Sequence, residues 1–327
     1  MKKIYTTIAI ILIIVCSAIT FTGGLLIGLR YGDINKIPYV AYGEWSIGIY
    51  TGSSPLDISP SENPGNPVLT ADDVTDMPAR FLADPFMIFE NDTWFMFFEI
   101  LHARTNQGNI GLATSKNGLD WTYQQVVLDE PFHLSFPCVF KWKDDYYMIP
   151  ESHEANAVLL YKATPFPIEW SKVKVIIDKN YVDPSFFYYN GKCWLFVSSA
   201  ASNTLWLYYS DDPAGPWIEH PKSPVVVGNP HIARPAGRVA IYDNRIIRFG
   251  MDCSPTYGGA VRAFEITALS PTDYEEKALS DKPLLEASGT GWNSDRMHQI
   301  DAHMISEGKW IAVVDGYRGG IKIGLKY

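Results

Sequence analysis

The side chains in this chain best able to do chemistry are carboxylates placed at matching points around short aromatic runs. Asp84 stands within Phe81–Phe89, and Glu99 ends the run Thr93–Glu99 that follows. Further along come Glu151, Asp183, Asp252, Asp301 and Asp315, with Arg234 and His298 at comparable places. Carboxyls brought close together repel as anions, so one keeps its proton where another loses it, as acid–base catalysis requires. The same oxygens can bind hydroxyl groups or a hard cation. Neither a glycine-rich phosphate loop nor a serine nucleophile elbow is present.

The elements that must position these groups are hairpins. Phe81–Phe89 and Thr93–Glu99 read as two strands joined by the polar turn Asn91-Asp92, which brings Asp84 and Glu99 together at one edge. The unit then recurs. Ser135–Phe140 turns into Tyr146–Glu151, and Val182–Phe187 turns at Asn190-Gly191 into Cys193–Ser198. Ala233–Gly237 turns at Asp243-Asn244 into Ile246–Asp252, and His298–Met304 turns at Glu307-Gly308 into Trp310–Asp315. Taking Asp84, Pro137, Asp183, Arg234 and Asp301 as equivalent starts gives steps of 53, 46, 51 and 67 residues. Four strands per copy at a period near 50 predict an all-β fold, a five-bladed β-propeller. The early strand Trp45–Tyr50 is expected to complete the fifth blade and close the ring, while Ser53–Thr75 reads as loop.

In such a ring the starts of first strands and the ends of second strands meet at one mouth of the channel. Seven carboxylates (Asp84, Glu99, Glu151, Asp183, Asp252, Asp301, Asp315) are therefore expected there with Arg234, and with His298 and His303 close by. Turn capping by individual acids is the bland alternative. No cofactor is required; a channel Ca²⁺ held by oxygens is the alternative, and zinc is disfavoured because His298 and His303 are five residues apart on a strand. Tyr257, Trp292 and His231 fall in loops near channel positions and could stack on a ligand ring. Trp121, Trp170 and Trp217 recur at matching places and read as blade packing.

Aromatics make up 14% of the 327 residues, and the net charge of −9 argues against a nucleic-acid partner. Met1-Lys2-Lys3 precedes an uncharged run, residues 4–29, long enough to span a bilayer. The expected organisation is a short cytoplasmic N-terminus (1–3), a transmembrane helix as anchor or uncleaved signal (4–29), a linker (30–42) and the propeller (43–327). The lysines place the propeller on the extracytoplasmic side, as a single-pass membrane protein. Cys16 falls in the anchor; Cys138, Cys193 and Cys253 lack the spacing of a zinc site or disulfide framework.

Ala83-Asp84-Pro85, the five blades and the mouth acids resemble the five-bladed family 43 glycoside hydrolases. The ordered series Ala83–Phe86, Ser135–Pro137, Ile149–Ser152, Asp183–Phe186, Ala233–Gly237, Asp252-Cys253 and Val313–Gly316 is more similar to the N-terminal domain of glucosamine inositolphosphorylceramide transferases and its bacterial relatives. The hydrolase resemblance implies an inverting glycosidase with Asp84 as general base, Glu151 as general acid and Asp183 setting orientation and pKa. Glu99, Arg234, Asp252, His298, Asp301, Asp315, Tyr257 and Trp292 would then bind a glycan or glycolipid substrate. A non-catalytic glycan-binding or accessory module of glycosylation is the alternative. Blade two departs from the hydrolase pattern, with Pro137 where an Asp is expected.

Overall fold

The computed structural model describes residues 37–63 and 65–326. It divides into a large unit, Glu44–Gly319, and a second formed by Met1–Gly43 with Gly320–Tyr327, whose described parts are strand. Strands β1 (Ile37–Ser54) and β2 (Asp57–Pro60) come first in the chain but belong to the last sheet. The first blade is β3 (Ala79–Glu90), β4 (Thr93–His102), β5 (Gly108–Ser115) and β6 (Thr122–Leu128). The second is β7 (Ser135–Trp142), β8 (Asp145–Glu151), β9 (Val158–Ala163) and β10 (Trp170–Ile177). The third is β11 (Val182–Tyr189), β12 (Lys192–Ser199), β13 (Thr204–Ser210) and β14 (Ile218–Glu219).

In the fourth blade the inner strand is broken into β15 (Arg234–Pro235) and β16 (Ala240–Tyr242), both paired with β17 (Arg245–Asp252). Strands β18 (Ala260–Leu269), β19 (Tyr274–Ala278) and β20 (Leu285–Glu286) complete it. The fifth runs from β21 (Ile300–Ser306) through β22 (Lys309–Lys326) to β1 and β2. The ring thus closes with a strand from the front of the chain, as the Trp45–Tyr50 pattern predicts. Two boundaries differ from expectation. Strand β1 starts at Ile37, inside the supposed linker, and Asp57–Pro60 pairs with Tyr50–Ser54 where a loop was expected. The expected membrane helix, residues 4–29, lies outside the described residues; among those described, no helix is long and apolar enough to cross a membrane.

The hairpins form for local reasons. Asn91 and Asp92, Asn190 and Gly191, and Asp243 and Asn244 all have positive φ, the backbone that two-residue hairpin turns need. The inner strands of the blades are then buried on both faces, and successive residues enter different cores. Phe97 packs between the first two blades while Phe98 faces the fifth. Likewise Ile311 joins the core against the first blade and Ala312 the core against the fourth. Trp121, Trp170 and Trp217 each pack against a blade core, and each indole N–H bonds a carbonyl three or four residues earlier. Among the described residues, the three cysteines are free thiols.

The closing strand carries Ile47 and Ile49, both fully buried beside Ile311 and Val313. Ile49→Ala is expected to cost about 2–4 kcal/mol, lowering the urea midpoint without changing the slope of the transition. A loss below about 1 kcal/mol would mean that β1 contributes little to closure.

Candidate functional site at the channel mouth

Three first strands carry the same distortion. Asp84, Phe136 and Asp183 have φ of 53°, 44° and 51°, each directly before a proline and each at a register shift opposite the second strand. Such backbone costs a non-glycine residue about 1–3 kcal/mol and requires surroundings that hold it. The following prolines lack an N–H, so the missing ladder bond at that point leaves no donor orphaned. The bulge turns each strained N–H out of its own sheet and towards the blade before it. Asp84 N–H donates to Asp315 Oδ2 at 3.0 Å, Phe136 N–H to Asp84 Oδ2 at 3.3 Å, and Asp183 N–H to Glu151 Oε2 at 3.1 Å.

These bonds correct the blade register. The counterpart of Asp84 in the second blade is Phe136, not Pro137. In the fifth, Ile300 pairs with Val314, so Ile300 rather than Asp301 holds the equivalent place. The first-strand positions are therefore Asp84, Phe136, Asp183, Arg234 and Ile300. Asp301 belongs to a separate buried cluster. It takes the Arg238 guanidinium at 2.7 and 3.3 Å, Met87 N–H at 2.6 Å and His303 Nε2 at 2.9 Å. Arg238 and His303 outweigh burial and hold its carboxyl well below the usual range. Its bonds tie the fourth, fifth and first blades together.

The second-strand ends show a pattern that reading the acids alone misses. Four of the five are carboxylates, and each meets an imidazole. Glu99 Oε1 lies 3.1 Å from His133 Nε2, Glu151 Oε1 2.9 Å from His153 Nδ1, and Asp252 Oδ1 2.8 Å from His231 Nδ1. Asp315 Oδ1 and Oδ2 lie 2.8 and 2.7 Å from His298 Nδ1. Gly108 N–H donates to His133 Nδ1, so His133 presents its Nε2 hydrogen to Glu99. The third blade has Ser198 instead, fully buried, its hydroxyl unpartnered among the described residues. His133 and His153 are not singled out by the sequence reading; Glu151-Ser152-His153 is the one pair whose closeness is visible along the chain.

At the mouth itself two groups form. In the first, Asp84 Oδ1 stands 3.5 Å from His298 Nε2, and His298 is stacked on Trp45 with ring centres 4.0 Å apart. Burial pushes the Asp84 carboxyl well above its usual value; nearby Glu99, Asp315 and Asp183 add to the rise, and His298 opposes it. Burial would lower the His298 imidazole, but Asp315 and Asp84 overcome this and raise it. In the second group, Arg234 grips Asp183 with Nε at 2.5 Å and Nη2 at 3.0 Å, and its Nη2 lies 3.8 Å from Glu151. Burial pushes Asp183 up to about 7 despite that partner, with Glu151 adding to the rise. Glu151, although burial opposes it, is held down at about 2 by the hydrogen bond to His153, Arg234 and the bond from Asp183.

Tyr257, about 41% exposed, bridges the groups: its ring is 5.4 Å from His298 and 5.0 Å from the Arg234 guanidinium carbon. Asp252 stands apart, bound to His231, Ser254 N–H and Arg262. Trp292 lies flat over Gly48 and Gly316, where a Cβ would meet its ring at 2.5 and 2.6 Å, and packs on the core between the fourth and fifth blades. Asp84, His298 and Asp315 are close enough to surround a metal ion. Asp315, however, already accepts His298 N–H, Gln299 N–H, Asp84 N–H and His298 Nδ1. That leaves Asp84 Oδ1 and His298 Nε2 as the open ligand atoms of the three.

The two aspartates of the first group should respond oppositely to amide substitution. Asp84→Asn removes a repelled, buried carboxyl and is expected to leave thermal stability unchanged or raised. Asp315→Asn turns an NH₂ group towards backbone donors and should cost about 1–3 kcal/mol. Equal losses in both melting curves would contradict this division of labour.

Comparison with known proteins agrees with this architecture. The family model described as "Glucosamine inositolphosphorylceramide transferase 1, N-terminal" matches residues 40–317. Proteins named glucosamine inositolphosphorylceramide transferase 1 from Oryza sativa subsp. japonica and Arabidopsis thaliana are 39% and 38% identical over 301 residues, covering 84% of this chain. The chain spans about two fifths of their length, 40% and 39% respectively. Among solved structures, a family 117 glycoside hydrolase of Zobellia galactanivorans is similar with TM-score 0.52 and 14% identity, over 84% of this chain and 90% of that one. A glycosyl hydrolase of Bacteroides ovatus gives 0.56 and 12%, over 87% and 94%. At those identities the likeness is one of fold. With its repeat, its mouth and the family match over residues 40–317 in agreement, the chain belongs to the family of N-terminal domains of glucosamine inositolphosphorylceramide transferases.

Proposed function

We propose that this propeller acts on a glycan at the channel mouth and cleaves a glycosidic bond there. The observation that carries the reading is Asp84: a buried carboxyl with raised pKa whose Oδ1 lies 3.5 Å from the imidazole Nε2 of His298. A carboxyl whose hold on its proton is raised in this way is suited to protonating a leaving oxygen. Glu151, held ionised, is suited to the opposite task of drawing a proton from water. This exchanges the two roles that the hydrolase resemblance implies. Arg234 with Asp183 would hold sugar hydroxyls, and Tyr257 offers an exposed ring face for stacking. Inversion requires the two carboxyls to lie roughly 6.5–9.5 Å apart. No cofactor enters this scheme.

The test is turnover by the full chain on a panel of aryl glycosides and oligosaccharides. Asp84→Asn and Glu151→Gln should each lower it about 10²–10⁴-fold with the fold intact. Wild-type rates in Asp84→Asn would end the proposal.

A non-catalytic glycan-binding module is the second reading, favoured by the partners that already occupy Glu151, Asp183, Asp252 and Asp315. Binding of an oligosaccharide without any product from the wild-type chain would select it. The apolar run at residues 4–29 supports presentation of the propeller outside the cytoplasm on a single span. Extraction of the full chain from membranes by alkaline carbonate, without detergent, would overturn that placement.

A further inference from the structure

The imidazole of His298 is confined on every side. Asp315 holds Nδ1, and the residue is 2% exposed. One ring face lies on the Trp45 indole, nearly parallel at 17°. Tyr257 meets the ring edge-on, and Gly258 approaches so closely that a Cβ there would stand 3.0 Å from His298 Cβ, 3.1 Å from its Cδ2 and 3.1 Å from Trp45. Gly258 also has φ +67°, so a side chain at that point is excluded twice over. Nε2, pointing at Asp84, is left for proton exchange.

We propose that Trp45, carried on the strand that closes the ring, is a positioning residue for the reacting pair: it fixes the plane of His298 so that Nε2 faces Asp84. The inference rests on the Asp84–His298 reading above. An indole face also favours a cation stacked on it, so Trp45 favours the imidazolium over the neutral ring. The other groups acting on His298 are Asp315 and Asp84, which favour its proton, and Arg234, which opposes it. Glu99 and Asp183 act through Asp84. Trp45 itself need not touch a substrate: it is buried, 6% exposed.

Two spectroscopic readouts test this in the full chain without any substrate. A stacked imidazolium quenches indole emission, so lowering the pH through the His298 titration should dim Trp45. That component should vanish in both His298→Gln and Trp45→Phe. In Trp45→Phe the ring signals of His298, followed by NMR, should titrate about one pH unit lower. An unchanged titration in Trp45→Phe would overturn the proposal. So would wild-type emission with no component that His298→Gln removes, and this comparison decides alone if Trp45→Phe does not fold. The outcomes separate from those of the reaction. Loss of turnover in Asp84→Asn with no effect of Trp45→Phe on His298 rejects only the role of Trp45. Normal turnover in Asp84→Asn with a shifted His298 rejects only the chemistry.

Discussion

One hydrogen bond, repeated around the ring, organises the mouth: a strained backbone N–H at the start of a blade donated to a carboxylate of the blade before it. Asp84 gives its N–H to Asp315, Phe136 to Asp84 and Asp183 to Glu151. Between the third and fourth blades the Asp183–Arg234 ion pair takes over. At Glu151, which is held ionised, the bond is charge-assisted and shielded from water, so it is worth more than an exposed one. It also explains how a non-glycine residue can hold positive φ at three successive blades. Without the neighbouring carboxylate each bulge would leave a buried donor unsatisfied, adding a cost comparable to the strain itself.

This arrangement gives the acids two kinds of work. Asp315 and Asp301 are surrounded by donors and hold blades in register. Asp84 both holds Phe136 and keeps one oxygen in reserve towards His298. Burying so many carboxylates in one place is unfavourable unless each has a partner, and the imidazoles at four of the five second-strand ends supply most of them. The remaining imbalance falls on Asp84 and Asp183, whose pKa values rise. Burial first, and the nearness of other carboxyls second, thus raise the proton affinity where proton exchange is proposed.

Much of the architecture was legible. Asn190-Gly191 and Asp243-Asn244 mark hairpins because few other pairs accept that backbone, and five such units at a common period leave little choice but a ring. The order of the blades and the closing role of Trp45–Tyr50 follow. Site registers were harder. A bulge adds one residue to one strand, and Phe136 carries no sign that it adopts a conformation rare for aromatics, so spacing alone points to Pro137 instead. The same one-residue offset separates Asp301 from Ile300 in the fifth blade. Partners contributed by distant loops, such as His133 for Glu99 or Trp45 for His298, leave no local trace. Glu151 and His153 are the exception, because a single residue separates them.

The alternation of strand residues between two inter-blade cores has a bearing on how such a chain can diverge. Inserting or deleting one residue within β4 would exchange Phe97 and Phe98, and so corrupt two cores at once. Turn tips such as Asn190-Gly191 border no core and carry no such penalty. Length variation among descendants of this fold is therefore funnelled into the hairpin tips and blade connections. The strands themselves can change only by substitution or by gain and loss of whole blades.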